Sequence, residues 1–366
     1  MKILSFFNKL YIKIQSKLIV ASNHNWEKRL IKEKAKYFAS LNEKELSEID
    51  RFYKKYYGKK IPYYWHQYYA NSRKTFDVKF FPELLFIPDV ERLFNNPQYA
   101  KTLGDKNIFS LILKGLDFVQ TPKTIINCSN SIAIDSNFNL LKFDDLYSYL
   151  KDYKYVFIKP SINSDSGKNV LKINMDLINK KQLYSLLDVY KGNFIIQENV
   201  VCHSDISALC PFACCSFRII TYILKGKVYH CPIVLKLATG NSYLDNTSMG
   251  SIFVPVSDDG TIINTGLDSK FNVYEVHPDS NIHLKGYKIS HVDKMIKAVE
   301  KLQLAFANVG IISWDATINS NGDVVIIEAN TCNGSIWFPQ LCHGSSAFSD
   351  NTEEILTLLR KNDKLY

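Results

Sequence analysis

A predicted β-hairpin with acidic residues inside apolar strands constrains the fold of this chain most strongly. Between residues 310 and 330, two runs of apolar and β-branched residues flank Asn321-Gly322, a dipeptide typical of tight turns between antiparallel strands. Asp315 lies in the first strand and Glu328 in the second. An unpaired carboxylate is costly to bury. The two acids therefore either belong to a solvated surface hairpin or pair with other groups in a functional site.

The three oxygen-bearing side chains of this hairpin are predicted to converge. Glu328 and Asn330 are two residues apart, so they lie on the same face of their strand. Antiparallel pairing brings Asp315 approximately opposite them. Carboxylate and amide oxygens at a strand end suit Mg²⁺, which keeps several waters and shares its coordination sphere with substrate phosphates. We therefore predict Asp315, Glu328 and Asn330 as metal ligands.

The composition is that of an ordinary globular protein. The 366 residues are 46% hydrophobic and 22% charged, which excludes a disordered or collagen-like chain. A chain of this length is long enough for two or three domains. No run approaches the roughly 18 to 20 apolar residues that span a bilayer, because lysines interrupt the most apolar early stretch. We therefore do not expect a transmembrane protein.

The positive charge is concentrated at the start of the chain. Residues 1–60 contain 15 Lys and Arg against 6 Asp and Glu, which accounts for the whole formal net charge of +9. The remaining residues carry no formal net charge, because they contain 30 basic and 30 acidic side chains. We therefore expect no basic surface of the kind that binds nucleic acid.

Residues 1–20 have the pattern of a basic amphipathic helix. Apolar side chains recur at helical spacing, and lysines lie on the flank of the apolar arc. Two interpretations stay open: the helix packs on its own domain, or it docks peripherally on an anionic membrane surface. The lysines and the absence of a small-residue cleavage site argue against a secretory signal. We expect a cytoplasmic protein, either free or peripheral at the inner membrane surface.

Changes in the pattern divide the sequence into three predicted regions. Residues 1–84 form a helical, basic N-terminal region, and residues 85–150 form an α/β region of short elements. Residues 151–366 have helical patterns between many strand patterns. The sequence therefore predicts an α+β fold whose second half is largely antiparallel.

A second candidate site follows the predicted strand of residues 155–159. Lys159 ends this strand, and a loop of small residues from Ser164 to Lys168 comes next. A lysine, hydroxyl groups and free backbone N–H groups can together hold a polyphosphate. The loop lacks the spacing of a Walker motif, and an ordinary β-hairpin has a similar pattern. This segment indicates a phosphate-binding site only in combination with other motifs.

Five of the eight cysteines are concentrated in one region, which raises the question of a zinc site. They are Cys202, Cys210, Cys214, Cys215 and Cys231, with His203 and His230 nearby. Tetrahedral zinc sites usually contain two close ligand pairs, whereas this region has one loose Cys-x3-Cys spacing. Buried free thiols in a reducing compartment are the favoured interpretation.

The order of the motifs resembles the ATP-grasp superfamily. The shared features are, in chain order, Gly104-Asp105-Lys106 before a helix, Thr121-Pro122, the Lys159 strand and its loop, Gln197-Glu198, Arg218, and the three predicted metal ligands. The chain is similar to the branch associated with sugar transfer and bacterial surface polysaccharide synthesis through Trp65-His66, Pro88-Asp89, Asp105-Lys106 and Asn246-x-x-Met249-Gly250. The resemblance implies an ATP-grasp fold with a helical N-terminal region and nucleotide bound between two α+β subdomains. The implied small subdomain, residues 151–200, carries the phosphate loop, and the implied large subdomain, residues 201–366, carries the Mg²⁺ site.

The resemblance also implies ATP and Mg²⁺ as cofactors and assigns roles to matching positions. The implied nucleotide-binding residues are Lys106, Lys159, Ser164, Ser166, Gly167, Lys168, Gln197 and Glu198. The implied catalytic residues are Arg218 and Lys236, which would neutralise the transferred phosphoryl group, and Asn246, which would face the acceptor. The other residues implied to face the acceptor are Met249, Gly250, Ser251, Asn333, Gly334 and Ser335. Asp315, Glu328 and Asn330 would hold the metal between the β- and γ-phosphates.

Three functions are compatible with these residues. The first is an ATP-dependent carboxylate–amine ligase that acts through an acyl phosphate and joins an amino acid or amine to a sugar carboxylate in a capsule, O-antigen or exopolysaccharide. The second is a phosphotransferase acting on a hydroxyl acceptor, and the third is a non-catalytic nucleotide-binding scaffold. The complete set of cations and metal ligands favours an enzyme over a scaffold. The expected partners are a small-molecule or glycan carboxylate and an amine donor.

Overall fold

The computed structural model of this protein describes residues 38–162, 167–240 and 250–362, together with seven single residues. These are Ile14, Leu18, Ser22, Asn25, Ser242, Tyr243 and Asp245. The amphipathic helix predicted for residues 1–20 lies outside the described residues, apart from Ile14 and Leu18. None of the described helices combines the length and the hydrophobicity that crossing a bilayer requires.

The described helices and strands are numbered in chain order. The helices are α1 (Glu43–Tyr56), α2 (Tyr64–Arg73), α3 (Arg92–Phe94), α4 (Pro97–Leu103), α5 (Lys106–Leu113), α6 (Leu146–Leu150), α7 (Lys180–Leu187), α8 (Ser204–Leu209), α9 (Val292–Ala305), α10 (Trp337–His343) and α11 (Thr352–Asn362). The strands are β1 (Thr124–Ser129), β2 (Ile132–Asp135), β3 (Leu140–Leu141), β4 (Tyr155–Pro160), β5 (Leu171–Asn174), β6 (Phe194–Glu198), β7 (Phe217–Leu224), β8 (Lys227–His230), β9 (Ile233–Leu237), β10 (Ile252–Val256), β11 (Gly266–Leu267), β12 (Val273–Tyr274), β13 (Ile311–Ile318) and β14 (Val324–Asn330).

Helix α1 has a well-defined start and a buried apolar face. The Asn42 side chain accepts a hydrogen bond from the Glu45 backbone N–H at 2.9 Å, and the Glu45 carboxylate accepts one from the Asn42 N–H at 2.8 Å. This reciprocal cap satisfies two backbone donors that the helix itself leaves unpaired. Ile49 and Tyr53 are fully buried and pack in a core shared with α11. The N-terminal helices therefore pack against the C-terminal end of the described chain.

The first sheet contains six antiparallel strands in the order β3-β2-β1-β6-β4-β5. Its core includes Ile126, Ile158 and Ile196, all of which are fully buried. Residue 150, one of the predicted region boundaries, lies between β3 and β4 of this sheet. The two regions on either side of that boundary therefore contribute strands to a single sheet.

The second sheet contains eight strands in the order β12-β11-β10-β9-β7-β13-β14, with β8 paired to β7. All of its strand pairs are antiparallel. The predicted α+β class, with a largely antiparallel second half, is therefore confirmed. The apolar run of residues 228–237, whose pattern predicts one continuous strand, forms parts of two strands, β8 and β9, because Pro232 lacks the N–H that a continuous ladder needs.

Helix α9 is fixed to the second sheet by a buried polar network as well as by apolar packing. Trp314 Nε1 donates to Thr221 Oγ1 at 2.7 Å, and Thr221 Oγ1 donates to Gln303 Oε1 at 2.6 Å. Gln303 Nε2 donates to the Val309 carbonyl at 2.7 Å. Each of these buried donors has a partner, so its hydrogen bond offsets the cost of removing it from water. It holds the middle of β13 in a fixed position, one residue before Asp315.

Candidate active site

Arg218, Asp315 and Glu328 lie side by side on three neighbouring strands. Asp315 of β13 is opposite Arg218 of β7 on one side and opposite Glu328 of β14 on the other, so the predicted opposition of the two acids is confirmed. Arg218 Nε donates to Asp315 Oδ1 at 2.7 Å, and Nη2 donates to Oδ2 at 3.1 Å. Such a two-point contact is the strong form of an arginine–carboxylate pair.

A second cation and a third acid lie beside Asp315. Lys236 Nζ of β9 is 3.3 Å from Asp315 Oδ2 and 3.9 Å from Asp245 Oδ1. Asp245 accepts a hydrogen bond from the Ser216 N–H at 2.7 Å and another from the Ser216 hydroxyl. Lys236 is 6% exposed and Asp315 is 4% exposed. These buried charges are tolerated because each has a partner of opposite charge.

Burial and the neighbouring cations act in opposite directions on the Asp315 carboxyl. Burial favours the neutral acid, but Arg218 and Lys236 outweigh it and lower the pKa of Asp315 to about 2. Burial raises the pKa of Asp245, and Lys236 only partly opposes this rise. Asp315 is therefore the more strongly acidic of the two carboxyls and is ionised at neutral pH.

The low pKa of Asp315 predicts how stability depends on pH. Because this pKa is about 2 in the folded protein against an ordinary 3.8, the stabilisation is complete above about pH 4 and is lost as the pH falls through about 2. We expect the difference in unfolding free energy between the native protein and Asp315→Asn to narrow by about 2 kcal/mol between pH 5 and pH 2. Urea titrations at both pH values measure this. Parallel pH dependence in the two proteins would show that Asp315 is not paired as described.

Two lysines approach the acids from the first sheet and from α5. Lys106 is the first residue of α5, and its Nζ lies 3.2 Å from Glu328 Oε2. Lys159, near the end of β4, donates to Gln197 Oε1 at 3.0 Å. Burial lowers the pKa of Lys159, whereas Glu328 opposes this shift. The site therefore contains four cations around three buried or half-buried acids.

Two cavities meet at these charges. The first cavity lies between the two sheets and has an apolar wall formed by Pro122, Phe157, Val170, Val200 and Ile327. Its charged lining includes Lys106, Lys159, Glu198, Asp315 and Glu328. The lining thus combines apolar and charged side chains, as a pocket for a planar base with an anionic tail would.

The second cavity extends from the same charges toward α4 and α10. It shares Lys106, Lys236, Asp315 and Glu328 with the first cavity. Its further lining includes Arg218, Asn330, Asn333, Ser335 and the aromatic residues Phe109, Trp337 and Phe338. The Ser335 hydroxyl is buried without a hydrogen-bond partner among the described residues. This cavity therefore offers cations, polar groups and aromatic faces to a second molecule.

A family model for sugar-transfer associated ATP-grasp proteins matches residues 88–355. The chain belongs to this ATP-grasp family. The predicted resemblance is therefore confirmed at the level of the family. No curated protein sequence matches the chain.

Solved structures that are similar to the chain include several ligases. The D-alanyl-alanine synthetase A of Vibrio cholerae has 14% identity and a TM-score of 0.43, and the match covers 74% of this chain and 68% of that protein. The L-amino acid ligase of Bacillus licheniformis has 12% identity and a TM-score of 0.41, with 73% and 49% covered. The D-alanine-D-alanine ligase of Coxiella burnetii has 11% identity and a TM-score of 0.40, with 74% and 62% covered. The chain thus spans less than two thirds of the last two proteins.

Most of the site residues implied by the ATP-grasp resemblance line one of the two cavities. These are Lys106, Lys159, Gly167, Glu198, Arg218, Lys236, Asp315, Glu328, Asn330, Asn333 and Ser335. Five others do not line either cavity, namely Lys168, Gln197, Gly250, Ser251 and Gly334. Ser164, Ser166, Asn246 and Met249 lie outside the described residues.

Gln197 is turned away from the first cavity and supports Lys159 instead. Its Oε1 accepts from Lys159, and its Nε2 donates to the Pro122 carbonyl at 3.2 Å. Gln197 is 4% exposed, so its amide is enclosed by these partners. The neighbouring Glu198 does line the cavity and forms a 2.6 Å ion pair with Lys123. In this structure the Gln197 side chain fixes a lysine rather than facing the cavity space.

Two residues that the sequence analysis did not identify hold the loop after β14. Glu91 accepts hydrogen bonds from the backbone N–H groups of Asn333 at 2.9 Å and Gly334 at 2.7 Å. Asn95 Nδ2 donates to the carbonyls of Ile311 at 2.9 Å and Thr331 at 3.0 Å. Together they attach the start of β13 and the end of β14 to the segment before α4. Glu91 and Asn95 carry no motif that a single sequence would reveal.

The donor atoms at the hairpin fit a small divalent cation. Asp315 and Glu328 are directly opposite each other on β13 and β14, and carboxylate and amide oxygens are the ligands that Mg²⁺ prefers. Asn330 Nδ2 lies 3.4 Å from Glu328 Oε1, which brings the amide beside the acids. In the part of the chain that the structure describes, no group of three or more His, Cys, Asp or Glu side chains is arranged to hold a metal ion. The predicted ligand set of the hairpin is not such a group, because it contains two acids and its third donor is the amide of Asn330.

Proposed function

We propose that the chain is an ATP- and Mg²⁺-dependent carboxylate–amine ligase that joins an amine or amino acid to a sugar carboxylate. The observation that carries this proposal is the row of Lys236, Arg218, Asp315, Glu328 and Lys106 where the two cavities meet. A phosphoryl group transferred between the cavities would pass directly over these charges. Membership in the sugar-transfer associated family supports a sugar acceptor.

The first cavity is the proposed ATP site. Its apolar wall, with Phe157 and Ile327, suits the two faces of an adenine ring. Lys106 and Lys159 would bind the phosphates, and Glu198 at the end of β6 would accept hydrogen bonds from the ribose hydroxyls. The base and the phosphates would thus occupy the apolar and the charged ends of one cavity.

Asp315, Glu328 and Asn330 are the proposed Mg²⁺ ligands. When bound, the ion would neutralise part of the charge on the nucleotide phosphates, which is the usual contribution of Mg²⁺ to phosphoryl transfer. Arg218 and Lys236 would then have competing partners, because both the acids and the phosphates attract them. We infer that these cations shift part of their interaction from Asp315 to the substrate.

The residues suit a two-step reaction. A carboxylate oxygen of the acceptor attacks the γ-phosphorus, the bond to the bridging oxygen breaks, and ADP leaves. The product is an acyl phosphate, which the nitrogen of an amine then attacks at the carbonyl carbon. Phosphate leaves, the nitrogen loses a proton, and an amide remains. Attack of one anion on another requires positive charge nearby, which Arg218, Lys236 and Lys106 supply.

The second cavity is the proposed acceptor site. Trp337 and Phe338 offer aromatic faces for a sugar ring, and Asn333 and Ser335 offer polar groups for its hydroxyls. A uronic acid would place its carboxylate near Arg218. Capsule, O-antigen or exopolysaccharide synthesis is the proposed setting, and contact of residues 1–20 with a membrane surface stays a prediction.

Product analysis tests this function. The full-length protein is incubated with ATP, Mg²⁺, glucuronic or galacturonic acid or their nucleotide-activated forms, and a panel of amino acids, and the products are identified by mass spectrometry. We expect an amide together with equal amounts of ADP and phosphate. Formation of a phosphorylated sugar without free phosphate would identify a phosphotransferase instead. ADP binding without turnover on any acceptor of this panel would contradict the proposed ligase activity on uronic acids.

A further inference from the structure

Two cysteines meet at the wall of the first cavity. Cys214 lines this cavity from the segment between α8 and β7, and Cys202 lies behind it, just before α8. The Sγ atoms of Cys202 and Cys214 are 3.5 Å apart. Cys202 is 5% exposed, and its sulfur also lies 3.4 Å from Thr317 Oγ1. We call Cys202 and Cys214 the thiol pair.

The two sulfurs of the thiol pair are close enough for a disulfide to form after a short movement of Cys214 toward Cys202. A disulfide bond is about 2.0 Å long, so the two sulfurs need to approach by about 1.5 Å. Both cysteines are free in this structure. The neighbouring Cys214 side chain lowers the pKa of the Cys202 thiol, although burial opposes this shift. The thiolate is the reactive form of a cysteine, and Cys214 is the member of the pair that lines the cavity.

We propose that the thiol pair is an oxidative modification site that hydrogen peroxide reaches through the first cavity when no nucleotide occupies it. One sulfur of the thiol pair, as its thiolate, attacks one peroxide oxygen, the O–O bond breaks, and the leaving hydroxide takes a proton to become water. The resulting sulfenic acid is attacked by the other sulfur of the pair, a disulfide forms, and the second oxygen leaves as water with the proton of that second thiol. Two electrons pass from the sulfurs to the peroxide.

The disulfide would disturb the site through the backbone. Cys214 is two residues before Ser216, whose N–H and hydroxyl bind Asp245 and whose carbonyl accepts the Lys236 N–H at 2.9 Å. Movement of Cys214 toward Cys202 therefore shifts the segment that holds Asp245 and Lys236. Because both residues line the first cavity, we infer that the disulfide weakens nucleotide binding. This part rests on the proposed function, since it takes the first cavity as the nucleotide site.

Peptide mapping after oxidation tests the modification site. The full-length protein is treated with hydrogen peroxide with and without saturating ADP and Mg²⁺, free thiols are blocked with N-ethylmaleimide, and disulfides are located by mass spectrometry. Without ADP we expect a Cys202–Cys214 disulfide that dithiothreitol reverses. With ADP at about a hundred times its dissociation constant, we expect disulfide formation to slow by about tenfold or more. The oxidised protein should bind ADP about tenfold more weakly, and reduction should restore the affinity.

Variants separate the thiol pair from other cysteines. Cys214→Ser should abolish both the disulfide and the peroxide-induced loss of ADP binding, whereas Cys342→Ser, which alters a buried thiol in another core, should leave both unchanged. A folded native protein that forms no Cys202–Cys214 disulfide, or that links the buried Cys210 and Cys215 instead, overturns the proposal. A native protein that forms the disulfide but never binds ADP would refute the nucleotide site while leaving the thiol pair supported.

Discussion

We expect replacement of Glu328 by glutamine to leave a folded protein that lacks the proposed Mg²⁺-dependent turnover. The glutamine keeps the size of the side chain but removes a charge that faces Asp315 across β13 and β14 and lies 3.2 Å from Lys106. We expect turnover to fall by at least about 100-fold, because a ligand of the proposed metal and part of the charge balance are lost together. Steady-state release of ADP measures this, and calorimetry without Mg²⁺ should show that ADP still binds.

The same hairpin provides a matched control for that variant. Asp323 lies in the turn between β13 and β14, pairs with Lys294 at 3.5 Å and lines neither cavity. Asp323→Asn removes one carboxylate from the hairpin without touching the site, so its turnover should stay within about twofold of the native value. If Glu328→Gln behaved like this control, Glu328 would not be a metal ligand.

The hairpin was predictable from sequence because its strands have an unambiguous pattern. The alternation rule places Glu328 and Asn330 on one face of β14. Gly322 has a φ of +80°, a conformation that suits glycine, in the turn between β13 and β14. The pairing shifts by one residue between Asp315 and Ala316, since Ala316 is opposite Ile326 whereas Asp315 is opposite Glu328. Local rules therefore predict that the two acids lie approximately opposite each other, but not the irregularity that pairs them directly. Arg218 could be assigned only through the family resemblance, since its pairing with β13 spans almost a hundred residues of chain.

Other parts of the site depend on contacts between residues that are far apart in the chain. No local sequence pattern predicts these contacts. Glu91 reaches the backbone of Asn333 and Gly334 from a distant segment, and no local motif marks it. Asp245 is one of many acids in the sequence, and only burial beside Lys236 distinguishes it. The orientation of the Gln197 amide likewise depends on two distant partners, Lys159 at its oxygen and the Pro122 carbonyl at its nitrogen.

Replacing Arg218 by methionine should cost more stability than any surface substitution. Asp315 is 4% exposed, and in this variant it would keep Lys236 but lose both hydrogen bonds from the guanidinium. Breaking one side of a buried ion pair leaves the remaining charge poorly compensated, so we expect a loss of about 3 kcal/mol in the free energy of unfolding. Urea titration at pH 7 measures this loss. Turnover should also fall by about 100-fold, because the main cation of the proposed acceptor cavity is gone.

Two further variants test whether this loss comes from the Asp315 carboxylate, which lacks its arginine partner in Arg218→Met. Arg218→Lys keeps the charge but cannot make the two-point contact, so its stability should lie between those of the native protein and Arg218→Met. Adding Asp315→Asn to Arg218→Met removes the poorly compensated charge. The double variant should therefore be more stable than the sum of the two single losses indicates, by about 1 kcal/mol or more. Strict additivity would mean that Arg218 and Asp315 stabilise the fold independently. In that case their contact would not be the reason that a buried acid is tolerated in the middle of this sheet.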